Sequence, residues 1–214
     1  MAAAAQDLRT VDLPLFAATP LEQQPFPHLI VPGFLKAEAI DAINADYPAI
    51  GKPGSFPVSE LTCGPAFEQL IKDLNSSEMT AAFADKFRID LSDHPIMITV
   101  RGRTQAKDGR IHTDSRTKII TVLIYMNGAW EAEGGRLRLL RSADDLEDHF
   151  AEVPPIAGTM LAFLNTENAW HGHKQHIGER RTIQLNWVTD AGVVAREQAR
   201  HRFSARLKRF NPFA

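Results

Sequence analysis

Residues 109–127, GRIHTDSRTKIITVLIYMN, lead from a charged segment into a run rich in Ile, Thr and Val. The branched side chains of Ile119, Ile120, Thr121, Val122 and Ile124 suit a pleated, half-buried strand better than a helix. Just before this run stand His112 and Asp114, one residue apart. Side chains two positions apart on an extended chain project to the same face, so an imidazole and a carboxylate would be presented together. That is part of a metal-ligand set, and a further ligand has to come from elsewhere in the chain.

From Pro95 onward the same grammar of short strands continues. IMITV (96–100), TKIITVLIYM (117–126), GRLRLL (135–140), TMLAFL (159–164) and RTIQLNWV (181–188) are separated by strong breaks, among them Gly134-Gly135 and the turn from Pro154 to Gly158. No helix of crossover length alternates with these strands, which points to an antiparallel sandwich or barrel. The first ninety residues read differently. HLIVPGFL (28–35) predicts a short strand ending at Pro32-Gly33, and three helical stripes follow: Ile40, Ile43 and Tyr47; Phe67, Leu70, Ile71 and Leu74 behind Pro65; and Met79, Ala82, Phe83 and Phe87 behind a Ser76 or Ser77 cap. The expected organisation is a helical support over 1–94, a β core over 95–190 and a basic C-terminal helix over 191–214.

Bulk properties narrow the function little. The chain has 214 residues, 44% of them hydrophobic, and a net charge of -2, so nothing global demands nucleic acid or an anionic membrane. The single cysteine, Cys63, excludes an internal disulfide and a thiolate cluster. No basic leader precedes an apolar stretch and no span approaches a membrane crossing, so the expectation is a cytoplasmic protein. Oligomeric state has no signature in this sequence.

Further ligand candidates cluster in NAWHGHKQHIGERRTIQLNWV (168–188), which offers His171, His173 and His176. His171 and His173 share a strand face, and His176 lies off it near a turn. On the strand beyond, alternation places Arg181, Ile183, Leu185 and Trp187 on one face and Arg180, Thr182, Gln184 and Asn186 on the other. The first row is apolar except for Arg181, and a buried guanidinium needs an anionic partner. Arg180, in the polar row, is expected to face solvent.

With these residues in view, the chain resembles the iron(II)- and 2-oxoglutarate-dependent dioxygenases, in their prolyl 4-hydroxylase-like branch. The resemblance rests on His112 and Asp114, a later His171, Arg181 ten residues beyond it, and Trp187 six further on, together with GGRLRL and the PxxGTMLAF-like segment ending at Phe163. It covers roughly residues 95–190. It implies a double-stranded β-helix (jelly-roll) core, mainly β with N-terminal helices, and Fe(II) held by His112, Asp114 and His171, with His173 as the competing ligand. It further implies 2-oxoglutarate and O2 as cosubstrates, ascorbate in support, Arg181 as the anchor of the distal carboxylate, and hydroxylation of an aliphatic carbon with release of succinate and CO2.

The family pattern also has a tyrosine about ten residues before the HxD pair, where this chain has Gly102 or Arg103. Thr121, Tyr125 or Lys118 could supply the second cosubstrate contact instead. Arg103 and Arg116, within a local excess of cations around the HxD pair, and Trp130 and Trp170 are expected at the substrate mouth, so an anionic small molecule or peptide is the expected substrate, with proline-containing peptide the default that the resemblance implies. The competing readings are a zinc hydrolase or isomerase, a non-catalytic metal-binding or sensing module, and a nucleic-acid demethylase of the same superfamily served by the basic tail. Arg181 argues against the first, since zinc chemistry needs no dicarboxylate anchor, and nothing in the sequence resembles a nucleic-acid reading module.

Overall fold

A computed structural model describes residues 8–196 and 199. The helices are α1 (Leu13–Ala18), α2 (Ala37–Ala45), α3 (Pro65–Leu74) and α4 (Ser77–Phe87). The strands are β1 (His28–Val31), β2 (Phe56–Pro57), β3 (Ile96–Thr104), β4 (Lys118–Tyr125), β5 (Leu137–Leu140), β6 (His149–Val153), β7 (Met160–Leu164), β8 (His171–Gly172) and β9 (Gly178–Val188). Residues 191–196 are helical, while the rest of the expected C-terminal helix, apart from 199, lies outside the described residues. Pro65 opens α3 at a position that has no intrahelical donor to lose, and the Ser76 hydroxyl caps α4 by accepting from the Met79 amide at 3.2 Å. Three elements without a strong pattern were not expected: α1 and the two-residue β2 are too short for periodicity to show, and β6 carries mixed polarity. The strand expected around His171 is present as β8 but is only two residues long.

Two antiparallel sheets make the jelly roll. The larger runs β1-β7-β4-β9-β3-β2 and the smaller β6-β5-β8. Alternation gives the larger sheet two distinct faces. Ile120, Val122 and Ile124 of β4, Met160 and Ala162 of β7, and Ile183, Leu185 and Trp187 of β9 join the helical residues Ile43, Phe67, Leu70, Met79 and Phe83 in the main core. The intervening residues Tyr125, Leu161 and Phe163 pack instead with Leu137, Leu139 and Val153 of the smaller sheet. The most apolar face of the larger sheet is therefore spent on the helices, and the space between the sheets is lined partly by polar residues of β9.

Candidate metal and dicarboxylate site

His112 and His171 are brought face to face by the backbone. Each amide donates to the other's carbonyl at 3.0 Å, an isolated antiparallel bridge that fixes both residues. Their rings lie 4.3 Å apart between centroids. The His112 Nδ1 hydrogen-bonds the Arg110 carbonyl at 2.8 Å and the His171 Nδ1 that of Ala169 at 3.0 Å. A carbonyl can only accept, so each Nδ1 carries the proton and each Nε2 keeps a free lone pair, the tautomer a metal ligand requires. With Asp114 these residues offer ligand atoms all within 4.8 Å of one another. His173, the competing ligand, is not in that group. It is buried, donates its amide to the Gly109 carbonyl at 2.9 Å, and turns Nδ1 to the Lys174 carbonyl at 2.8 Å.

The electrostatics favour a neutral His171 imidazole beside an ionised Asp114 carboxylate. Burial lowers the His171 pKa to about 4, with Asp114 opposing and His112 adding to the shift. For Asp114, burial alone would raise the pKa, but the Lys118 ammonium, His171 and two side-chain hydrogen bonds together hold it below the usual carboxylate range. Lys118 Nζ lies 2.7 Å from Asp114 Oδ1, and the Thr121 hydroxyl donates to Oδ2 at 2.5 Å. Asn186 Nδ2 in turn donates to Thr121 Oγ1 at 2.8 Å. Thr121 and Lys118 thus support the carboxylate ligand, a role the sequence did not reveal, and Asn186 completes the chain.

The arginine of β9 on this side of the sheet is Arg180, not Arg181, which corrects the expectation that Arg181 faces inward and Arg180 faces solvent. Arg180 is 4% exposed, donates from Nε to the Gly135 carbonyl at 2.8 Å and from Nη1 to Thr182 Oγ1 at 3.2 Å, and lies 5.3 Å over the Tyr125 ring. Among the described residues, no carboxylate comes within 4 Å of it. Burial lowers its pKa, and Tyr125 opposes the shift. The Tyr125 hydroxyl is itself buried without a hydrogen-bond partner of good geometry. Arg181 faces the helices: its Nε pairs with Glu179 at 3.0 Å, Nη1 reaches the Asn44 carbonyl at 3.4 Å, and the guanidinium sits 5.3 Å over the Tyr47 ring. Alternation correctly separated the two arginines. The error lay in equating the apolar row with the inside of the jelly roll, when that row packs on the helical layer.

The remaining candidates are spread around the core. Arg103 is exposed and registered opposite Glu179, on the β9 face that carries Arg181, because a bulge between Arg101 and Arg103 shifts the register. Arg103 therefore leaves the mouth, and Arg101, opposite Thr182, shares the inner face with Arg180. Arg116 is exposed and pairs with Glu167 at 3.2 Å across a groove of about 400 Å³ that Asp114, Thr113 and Asn165 also line. Trp130 donates to the Gly134 carbonyl at 3.0 Å and packs on His176, at the Gly135 end where Arg180 is bonded. Trp170 is half-buried immediately before His171.

Residues 101–189 match the family model described as the 2OG-Fe(II) oxygenase superfamily. Among solved structures, a Pseudomonas putida prolyl-4-hydroxylase is similar at 18% identity and a TM-score of 0.55, covering 77% of this chain and 93% of its own. A prolyl 4-hydroxylase from Phytophthora capsici aligns at 17% identity and a TM-score of 0.52, over 78% of this chain and 60% of that one. The viral collagen prolyl hydroxylase of Paramecium Bursaria Chlorella virus-1, in a 2OG complex, aligns at 16% identity and a TM-score of 0.51, over 76% of this chain and 96% of that one. None of the curated proteins matches significantly.

Proposed function

We propose that this chain, whose core is that of a 2OG-Fe(II) oxygenase in its prolyl 4-hydroxylase-like form, uses His112, Asp114 and His171 to hold Fe(II) and Arg180 to hold the distal carboxylate of 2-oxoglutarate. One observation carries the reading: a buried guanidinium with two neutral hydrogen bonds and, among the described residues, no carboxylate within 4 Å, on the face of β9 whose Asn186 reaches Asp114 through Thr121. Burying such a charge is costly unless an anion joins it, and a planar guanidinium grips a carboxylate through two parallel N–H groups. The unpartnered Tyr125 hydroxyl offers a further hydrogen bond beside it. At the other end, two neutral imidazoles and one carboxylate suit iron and leave positions for a chelating cosubstrate and O2. When bound, the iron and cosubstrate would supply the oxidising power for hydroxylation, with succinate and CO2 released and ascorbate in support.

The protein's part is to bind, orient and keep dry. The reciprocal backbone bridge sets the two imidazoles, Lys118 and Thr121 hold both oxygens of Asp114, and the aromatic and aliphatic lining around Tyr125, Leu161 and Phe163 limits water near the guanidinium. In this reading the catalytic unit is residues 95–190, with 1–94 its helical support and 191–214 a basic appendage. The substrate is a peptide or small molecule hydroxylated at an aliphatic carbon, with proline-containing peptides the first class to test. Lys107 and Arg110 are exposed on the segment leading to His112, with no carboxylate within 4 Å among the described residues, and they favour an anionic substrate. Trp170 would border the mouth. The test is formation of succinate from 2-oxoglutarate, dependent on Fe(II), in the presence of proline-containing acidic and neutral peptides, read with a gain of one oxygen in the peptide mass. Absence of iron-dependent succinate across the panel, with Arg180→Met binding 2-oxoglutarate as tightly as the native chain, would refute the proposal.

A further inference from the structure

We propose that the Lys118 ammonium, held against Asp114, opposes a divalent ion at the triad until an anion joins it, and so sets how strongly metal binding depends on the dicarboxylate beyond what chelation alone gives. The inference rests on the metal and 2-oxoglutarate reading above and adds a regulator to it. Lys118 opens β4, four residues after Asp114, and its ammonium lies 2.7 Å from Asp114 Oδ1. This is not a loose surface pair: the Lys118 side chain is 17% exposed and that of Asp114 8%. The backbone is also fixed, since the Lys118 amide donates to the Ser115 carbonyl at 2.9 Å and its carbonyl accepts from Asn165 Nδ2, also at 2.9 Å. With so little of either side chain exposed, the pair is screened less by water than that of a solvated lysine.

The charge balance gives the consequence. Two imidazoles, which ligate a metal only when neutral, one carboxylate and one ammonium sum to zero, so a divalent cation meets a triad whose one carboxylate is already paired, and it must sit near a like charge. Both Asp114 oxygens have donors, Lys118 on one and Thr121 on the other. The cosubstrate reverses this balance. As a dianion it would add one negative charge at the metal end, where Lys118 faces Asp114, and another at Arg180. A ligand that relieves repulsion felt by the ion must tighten that ion's binding, and by linkage the ion tightens the ligand's to the same degree. A neutral donor of similar reach, such as glutamine, could donate to Asp114 without creating this dependence; the charge is what distinguishes lysine.

The experiment uses Mn(II), which occupies such sites without turnover, and counts free ion by electron paramagnetic resonance in titrations with and without 2-oxoglutarate. In the native chain, 2-oxoglutarate should tighten Mn(II) binding by roughly ten-fold or more, within the usual range of coupling between sites. Lys118→Met should bind Mn(II) more tightly than the native chain when 2-oxoglutarate is absent, and the tightening by 2-oxoglutarate should shrink several-fold. Lys118→Arg, which keeps the charge, should keep the coupling. Full coupling retained in Lys118→Met would overturn the inference while leaving the cosubstrate reading intact. So would weaker Mn(II) binding in Lys118→Met both with and without 2-oxoglutarate, the pattern of a residue that merely holds Asp114 in place. A native chain that takes up no Mn(II) even with 2-oxoglutarate would sink the underlying reading as well.

Discussion

Replacing Arg180 with Met should separate binding from stability. The guanidinium is 4% exposed, bonded to the Gly135 carbonyl at 2.8 Å and Thr182 at 3.2 Å, and free of any carboxylate within 4 Å among the described residues. Hydrogen bonds to a charged group contribute about 1.5–3 kcal/mol, so losing them should weaken 2-oxoglutarate binding roughly ten- to one-hundred-fold. Stability should change by no more than about 1 kcal/mol, because removing a buried, unpaired charge relieves desolvation while the Gly135 and Thr182 oxygens lose their donor. Arg181→Ala should differ in binding rather than in stability. It removes a half-exposed pair with Glu179 and a stack on Tyr47, costing under about 1 kcal/mol of stability, and leaves 2-oxoglutarate affinity unchanged. Calorimetric titration of 2-oxoglutarate into the Mn(II)-loaded variants, paired with urea unfolding, measures both quantities. If Arg181→Ala lost the affinity and Arg180→Met kept it, the assignment of the two faces of β9 would be wrong.

Three further outcomes are expected. Asp114→Ala should abolish metal binding, measured by the same Mn(II) titration, and also cost about 1–3 kcal/mol in urea unfolding because it leaves the Lys118 ammonium without its partner. In the metal-free protein, burial holds the His171 and His173 pKa values at about 4, below the usual value of 6.5. The unfolded chain therefore takes up these protons first as pH falls, and stability should drop between about pH 6.5 and 4 by up to about 1.4 kcal/mol per unit for each ring; a urea midpoint unchanged from pH 7 to 5 would contradict this. Turnover of an acidic peptide should fall as salt rises, because exposed charges reach only about 8 Å at physiological ionic strength; an Arg110→Ala, Lys107→Ala double variant that discriminates acidic from neutral peptides as the native chain does would remove the basis for an anionic substrate.

What could be read from the sequence alone follows from interactions between near neighbours. The stripe Phe67, Leu70, Ile71 and Leu74 behind Pro65, and the Ser76 cap, specify α3 and α4 because helix contacts lie three and four residues apart. The branched run after Asp114 specifies β4, and the spacing of His112 and Asp114 puts both on one face of an extended segment. The tertiary structure decided the choices that depend on distant segments. His171 and His173 have the same periodicity, and the backbone bridge from His112 to His171 is what brings His171 into the group with His112 and Asp114. Arg180 and Arg181 are separated by alternation, yet which face lines the space between the sheets depended on where the helices pack, and they cover the row of Ile183, Leu185 and Trp187. A single β-bulge turned Arg103 away from the site, and the partnership of Lys118 and Thr121 with Asp114 required a fold of the chain between a loop and a strand. Periodicity records which residues share a face; what each face meets is set by contacts between residues far apart in the chain.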